Sequence, residues 1–190
     1  MSITINGNGT ISGYTPATIS GTLAATNMPS GSVLQVKSQT KTDATTHSLA
    51  SQTWWSYTDT SLKVAITPSS ASNKIYLTAF FNIFDATGQW LQFRFEQDGA
   101  QIDETVGDAA GSRVRATGQH MNGGDNNGGR FYMMAAEVNA DSTSSRTYNL
   151  GFRHTSGLTR TLYLNRTGDD TDSVYNGRSI STLTAMEIAA

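Results

Sequence analysis

The stretch "SLKVAITPSSASNKIYLTAFFNIF", residues 61–84, decides the fold class. Its first part alternates apolar and more polar residues, which predicts a β-strand with one buried face. After the polar break "TPSSASN", a second run begins in which both faces of a strand are apolar. One face carries Ile75, Leu77, Ala79, Phe81 and Ile83, and the other carries Tyr76, Phe80 and Phe84. Because a strand in a lone antiparallel sandwich needs only one apolar face, something must cover the second.

The composition of the 190-residue chain favours an all-β protein. Hydrophobic residues make up 37% and charged residues 15%, and both fractions are low for a helical globular protein. Thr, Ser, Asn and Gly make up the difference; they are poor helix formers, whereas Thr suits strands and Gly and Asn suit tight turns. The length is sufficient for one domain with a full hydrophobic core.

Charge and cysteine content exclude several classes of function. The net charge is −2 and the thirteen Lys and Arg residues are scattered, so we expect no nucleic-acid partner, which would need clustered positive charge. The absence of Cys excludes disulfides and thiolate metal sites. The start "MSITINGNG" does not resemble a secretory signal, and no stretch approaches the roughly 18 apolar residues of a membrane span. We therefore expect synthesis in a cytoplasm and no membrane insertion.

Residues 1–32 differ from the remainder and are interpreted as an N-terminal arm. "ITINGNGTISG" predicts a short hairpin around an Asn-Gly turn, and a Thr-, Ala- and Gly-rich segment without periodicity follows. Such a segment cannot form its own core, so it is either a flexible linker or an arm that lies on another surface. Its apolar anchors are Ile3, Ile5, Ile11, Tyr14, Ile19, Leu23 and Met28.

Residues 33–190 form the second predicted unit, a β-sandwich of eight to nine antiparallel strands. Strand signals recur at sandwich spacing, and no stretch has a helical period. The alternation predicts inward-facing sets that comprise Leu34 with Val36; Leu91, Phe93 and Phe95; and Tyr148, Leu150 and Phe152. Two polar, Gly-rich segments, 103–130 and 165–179, are predicted as surface loops, and long loops in a compact β domain usually carry function or fill an interface.

No catalytic or metal-binding pattern emerges, so we expect neither an enzyme nor a cofactor. The histidines lack the spacing of a metal site and no nucleophile motif accompanies them; they are His47, His120 and His154. The acidic loop does not match a calcium-binding pattern and is predicted as a solvated turn; its members are Asp169, Asp170 and Asp172. A carboxylate dyad is not indicated, since adjacent acids on a strand point to opposite faces.

Trp54, Trp55 and Tyr57 form an aromatic group with two interpretations. Aromatic side chains beside polar residues can stack on sugar rings, which would make a receptor or partner surface. Alternatively, adjacent tryptophans on a strand place one ring in the core and the other in an interface between copies. The sequence favours the interface.

Copies of the same chain are the simplest cover for the second apolar face. Aromatic side chains each bury about 150–250 Å², worth about 25 cal/mol per Å², and an exposed patch of that size drives association. The closing segment "TAMEIAA" has the same alternating character. A closed oligomer with few subunits is therefore predicted, and its interface is formed by Tyr76, Phe80, Phe84, Met186 and Ile188.

Three segments carry a resemblance to a known family. "GSVLQVKSQTKTDA", "YTDTSLKVAITPSSASNKIYLTAFFNI" and "STLTAMEI" resemble a domain of bacteriophage virion proteins that occurs at tail-fibre tips and in short head-associated proteins. The matching positions are Gly31 to Val36, Thr67 to Ile75 and Leu183 to Ile188. The family is similar to the jelly rolls of complement and tumour necrosis factor, which are homotrimers. The resemblance spans about residues 31–190 and implies a jelly-roll domain without a catalytic motif.

The resemblance implies a virion protein, and the short chain favours a capsid decoration or cement protein over a tail fibre. Such a protein would dock on the major capsid protein, or on tail components, through the arm residues Ile3, Ile5, Ile11 and Tyr14. The alternative is a tail-fibre or receptor-binding protein that recognises a host surface glycan through its loops and outward aromatic residues. A third hypothesis is an intracellular sugar-binding or hydrolytic module.

Overall fold

The computed structural model describes residues 28–56, 62–85, 90–121 and 130–190, without the side chains of Trp55, Ser56, Asp85 and Met121. The predicted arm hairpin lies outside the described residues. So do five of the predicted site residues: Ile3, Ile5, Ile11, Tyr14 and Tyr57.

The described residues form twelve strands in two antiparallel sheets of six strands each. In spatial order, the first sheet contains β1 (Val33–Lys41), β12 (Ser181–Ile188), β5 (Lys74–Asp85), β11 (Arg160–Leu164) and β2 (Thr45–Leu49), while β9 (Arg130–Asn139) pairs with β5. The second sheet contains β3 (Trp55–Ser56), β4 (Val64–Ile66), β10 (Arg146–His154), β6 (Trp90–Gln97), β7 (Ala100–Gln101) and β8 (Gly118–Met121). A 3₁₀ turn, Asp103–Thr105, follows β7.

The two sheets enclose one hydrophobic core, an arrangement consistent with a β-sandwich. Phe81 of β5 lies edge-on to two rings of the second sheet, with centroids 5.3 Å from Phe93 and 5.7 Å from Phe152. The prediction of an all-β fold is therefore confirmed. The inward-facing set predicted for β5 is buried, and so are the sets predicted for β6 and β10.

Three local predictions were wrong, two because short strands leave little periodic signal and one because a bulge interrupts β1. The strand number exceeds the predicted eight to nine, since β3, β4, β7 and β8 have only two to four residues each. The segment 103–130 contains β8 and is not wholly irregular. A bulge between Val33 and Gln35 interrupts the alternation that grouped Leu34 with Val36, and Val36 is 53% exposed.

Phe84 corrects the predicted interface. By alternation it belongs to the outer face of β5, yet it is only 1% exposed. Its ring lies against Tyr163 of β11, with centroids 5.8 Å apart. The backbone of Gly168 covers it so closely that a Cβ there would stand 2.0 Å from Cε1 of the ring. The segment 165–179 therefore covers this part of the sheet within the chain, and Phe84 is not available to a partner.

Many polar contacts brace the segment 165–179, which we call the braced loop. Arg166 and Arg178 both pair with Asp170, at 3.0 and 2.5 Å. The Arg166 guanidinium also lies 4.7 Å from the centroid of Tyr163. Asn176 donates to the hydroxyl oxygen of Thr171 at 2.8 Å. Asp169, Asp170 and Asp172 are exposed, as predicted for a solvated turn, and Asp170 also pairs with two arginines.

Gly168→Ala tests how closely this loop is packed. The added methyl group has no room beside Phe84, so we expect the free energy of unfolding to fall by about 1–3 kcal/mol. Gly157→Ala is the matched control, because nothing lies within 4 Å of its Cβ position. Urea unfolding of both variants checks the prediction, and equal stabilities would contradict it.

Candidate functional site

The three segments that carry the family resemblance meet at one buried carboxylate. Glu187 lies on the inner side of β12 and is 0% exposed. Its Oε2 accepts a hydrogen bond from Gln35 Nε2 at 2.6 Å. Its Oε1 accepts from the Ser69 backbone N–H at 2.6 Å, the Ser69 hydroxyl at 2.8 Å and Asn73 Nδ2 at 2.6 Å. These bonds join Gln35 of β1, β12 and the turn of residues 67–73, which we call the serine turn.

The turn "TPSSASN" is shaped to present these donors. The Ser70 hydroxyl accepts from the Ser72 backbone, and the Ser70 carbonyl accepts from Asn73, both at 3.3 Å. Asn73 Oδ1 accepts from the backbone N–H of Ala190 at 3.2 Å. Gln35 Nε2 also donates to the carbonyl of Thr67 at 2.7 Å. One polar cluster therefore closes this end of the structure.

The charge of Glu187 is held by neutral donors. Burial alone would raise the pKa of this carboxyl, but the hydrogen bonds from Asn73, Gln35 and Ser69 outweigh burial and hold the pKa below its ordinary value. The carboxylate is enclosed, and its four hydrogen bonds come from β1 and from the turn before β5. It therefore joins these segments to β12.

A second buried carboxylate organises the outer side of the second sheet. Glu96 accepts from Nε and Nη2 of Arg94 at 2.9 and 2.7 Å, and from Asn149 Nδ2 at 3.0 Å. The Arg94 guanidinium lies 4.1 Å from the ring centroid of Trp54. One ring face of Trp54, a predicted partner residue, is therefore occupied within the chain. Trp55 lies on β3 opposite Phe152.

The three histidines lie on strands and contact neighbouring strands or turns. His154 is fully buried; its Nδ1 accepts from the Ser156 backbone N–H and its Nε2 faces the Leu49 carbonyl, both at 3.1 Å. His120 packs edge-on to Tyr132, and burial together with nearby Arg130 lowers the pKa of His120. His47 lies on β2, opposite Leu162.

The described residues contain neither a metal-binding cluster nor a membrane-spanning helix. No group of three or more His, Asp or Glu side chains in these ranges is arranged to hold a metal ion. Among the same residues, no helix is long and apolar enough to cross a membrane.

The outer side of the first sheet carries rows of apolar side chains separated by a row of small residues. In-register pairing places Val36, Met186 and Tyr76 in one row across β1, β12 and β5. Phe80 is paired with Met133 of β9 in a second row. We call the following set the outer apolar face: Val36, Tyr76, Phe80, Phe131, Met133, Met186 and Ile188.

Exposure distinguishes this face from the core. Tyr76 is 37% exposed and Phe80 40%, whereas Phe131 and Met133 reach 64% and 68%. Phe80 and Phe131 stack with centroids 6.0 Å apart. Met186 and Ile188 are half-buried and point the same way. Thus four of the five predicted interface residues lie together on one surface, and Phe84 does not join them.

Sequence reasoning did not include Val36, Phe131 and Met133 in this surface. The alternation in "RFYMM" separates Phe131 and Met133 from Tyr132 and Met134. That signal shows two apolar faces but not which one is buried. The pairing of β9 with β5 decides the matter, because it aligns Met133 with Phe80.

A cleft of about 350 Å³ opens beside this face. It lies between β8 of the second sheet and β9 of the first sheet. Its apolar lining includes Phe93, Tyr132, Met133 and Met134, and Gln119 stands at its polar side. Met133 belongs to both the cleft and the outer apolar face.

No protein-family model matches the chain, and no curated protein is significantly similar to it.

The charge of Glu187 predicts a pH-dependent stability. Because the folded-state pKa lies below the ordinary value of 4.5, the stabilisation is complete above pH 4.5 and is lost as pH falls through the folded-state pKa. Glu187→Gln turns an amide NH₂ toward existing donors and should lower the free energy of unfolding at neutral pH by about 1–3 kcal/mol.

The difference between wild type and Glu187→Gln should shrink as the pH is lowered below 4.5. Urea unfolding across a pH series measures it. Asp108→Asn is the control, since Asp108 is exposed in the segment between the 3₁₀ turn and β8 and its loss should change stability by no more than about 0.5 kcal/mol. A difference independent of pH would contradict the assigned role.

Proposed function

We propose that the protein is a structural component of a bacteriophage virion, a capsid decoration or cement protein that assembles as a homotrimer of jelly-roll domains. The outer apolar face is the observation that carries the proposal. It is the surface on which copies associate. The protein acts by binding, and no catalytic role is assigned to it.

The chemistry of the outer apolar face favours self-association. Aromatic side chains of this kind bury about 150–250 Å² each when fully covered, at about 25 cal/mol per Å². Soluble monomers rarely expose contiguous apolar patches of several hundred Å². The row between Tyr76 and Phe80 is small and uncharged, with Thr78, Ala135 and Thr184. Charged side chains stand in the flanking rows, where Glu137 is paired with Tyr76 and Lys74 with Ile188, so a second copy would have to pair or desolvate these two charges.

The virion assignment rests on the family resemblance, which the contacts of Glu187 support. Its most specific segments contribute Gln35, Ser69, Asn73 and Glu187, and these side chains form one hydrogen-bonded cluster. Residues of one structural unit are expected to occur together in a family. The jelly-roll assignment is compatible with the two antiparallel sheets of the described residues, in which β1 and β12 pair along their length.

A receptor-binding role in a tail fibre is the second candidate. Trp54 is partly exposed and its ring is held against Arg94. A fixed aromatic ring of this kind is suited to stacking on the apolar face of a sugar. The two roles differ in location on the particle and in copy number.

The double variant Phe80→Gln, Met133→Gln tests the association surface. We expect wild type to sediment as a trimer and the variant as a monomer, with an unchanged circular dichroism spectrum, because neither side chain is part of the monomer core. Leu158→Gln is the control, since Leu158 is 64% exposed on a different surface, the turn between β10 and β11. A monomeric wild type, or a variant that still forms trimers, would refute the proposed surface.

Removal of residues 1–27 tests the docking role of the arm. The truncated protein should remain a soluble trimer. It should no longer bind to phage particles from which the full-length protein is absent. Quantitative gels and electron micrographs of complete particles check the location. Copies in proportion to the capsid subunits support decoration, whereas a few copies at the tail support the receptor-binding alternative. A monomeric truncated protein would assign trimerisation to the arm.

A further inference from the structure

The tip of the braced loop is exposed although the loop itself is tightly held. Val174 is 95% exposed and Tyr175 87%, the highest values among the large exposed hydrophobic residues of the described chain. The base of the loop is fixed by Asp170 with its two arginines and by Phe84 beneath Gly168. A stiff loop that presents a tyrosine to solvent loses little entropy when that side chain is bound.

The cleft between β8 and β9 is the complementary feature. Its lining is mixed, with Phe93, Tyr132, Met133 and Met134 beside Thr117, Gly118 and Gln119. Methionine adapts its shape to an incoming ring. A cavity of about 350 Å³ is large enough for one aromatic side chain with part of its neighbour. Tyrosine is among the residues that most often dominate binding energy when placed in such a pocket.

Symmetry explains why one molecule would carry both features. In a closed ring of three copies each interface is heterologous, so a surface on one copy meets a different surface on the next. The braced loop packs onto the outer side of the first sheet over Phe84, and the cleft opens at the β9 edge of the same sheet through Met133. Both therefore flank the outer apolar face.

We infer that Tyr175 of one copy inserts, with Val174 beside it, into the cleft between β8 and β9 of the next copy and so locks the ring. The inference rests on the proposed homotrimer and adds to it a second contact, separate from the outer apolar face. Tyr175 does not occupy the cleft of its own chain, because its side chain is almost fully exposed.

Disulfide trapping tests this contact directly, since the chain has no native cysteine. The double variant Tyr175→Cys, Gln119→Cys places one thiol at the loop tip and one at the mouth of the cleft. Under mild oxidation we expect covalent dimers and trimers on a non-reducing gel, and their loss on reduction. Leu158→Cys, Gln119→Cys is the matched control and should give only monomer at the same protein concentration.

A second variant measures the energy of the contact. Tyr175→Ser should weaken trimer association at least about tenfold per interface in sedimentation dilution series. The unfolding midpoint should not change, because the side chain has few contacts within its own copy. Leu158→Ser should leave association as in wild type.

The outcomes separate this inference from the proposed function. A trimer in solution without cross-linked species, or with unchanged affinity in Tyr175→Ser, overturns the contact and leaves the homotrimer intact. A disulfide within one copy also overturns it. A monomeric wild type that gives no cross-links overturns both. Trapping only with another virion protein would assign the loop tip to that partner instead.

Discussion

The structure depends on one buried negative charge. Glu187 stands where an apolar residue would complete the inner face of β12, and it is retained because Gln35, Ser69 and Asn73 supply four hydrogen bonds. A buried carboxylate without such partners would be strongly destabilising. The cluster therefore fixes the conformation of the serine turn and the register of β1 against β12. Because β12 pairs with β5, it also positions the rows of the outer apolar face.

The second organising feature is that the outer face of β5 is buried at one end of the strand and exposed at the other. Near Phe84 the chain covers its own outer face with the braced loop, through the close approach of Gly168. Near Tyr76 and Phe80 the same face stays open. The outer face of β5 is thus covered by the chain itself at one end and open at the other.

Particular residues show how far the sequence allowed prediction. The inward sets of β5, β6 and β10 followed from period-two alternation. Tyr76, Phe80, Met186 and Ile188 share one face of the first sheet, and their role in an interface stays a prediction. Phe84 was misplaced because the residue that covers it is a glycine more than eighty positions away, and a glycine carries no apolar signal. Phe131 and Met133 were missed because alternation separates two faces without saying which one is buried.

The sequence by itself determined the all-β class, the polar turn between β4 and β5, and the apolar character of both faces of β5. These are local properties, because side-chain alternation and turn preferences act over a few residues. Only the tertiary structure decided that Glu187 is held by donors from two other segments, that Phe84 is enclosed and that Met133 lies beside Phe80. Each of these depends on which distant strands and loops lie together, and that pairing is set by packing of the whole chain, which short-range patterns do not specify.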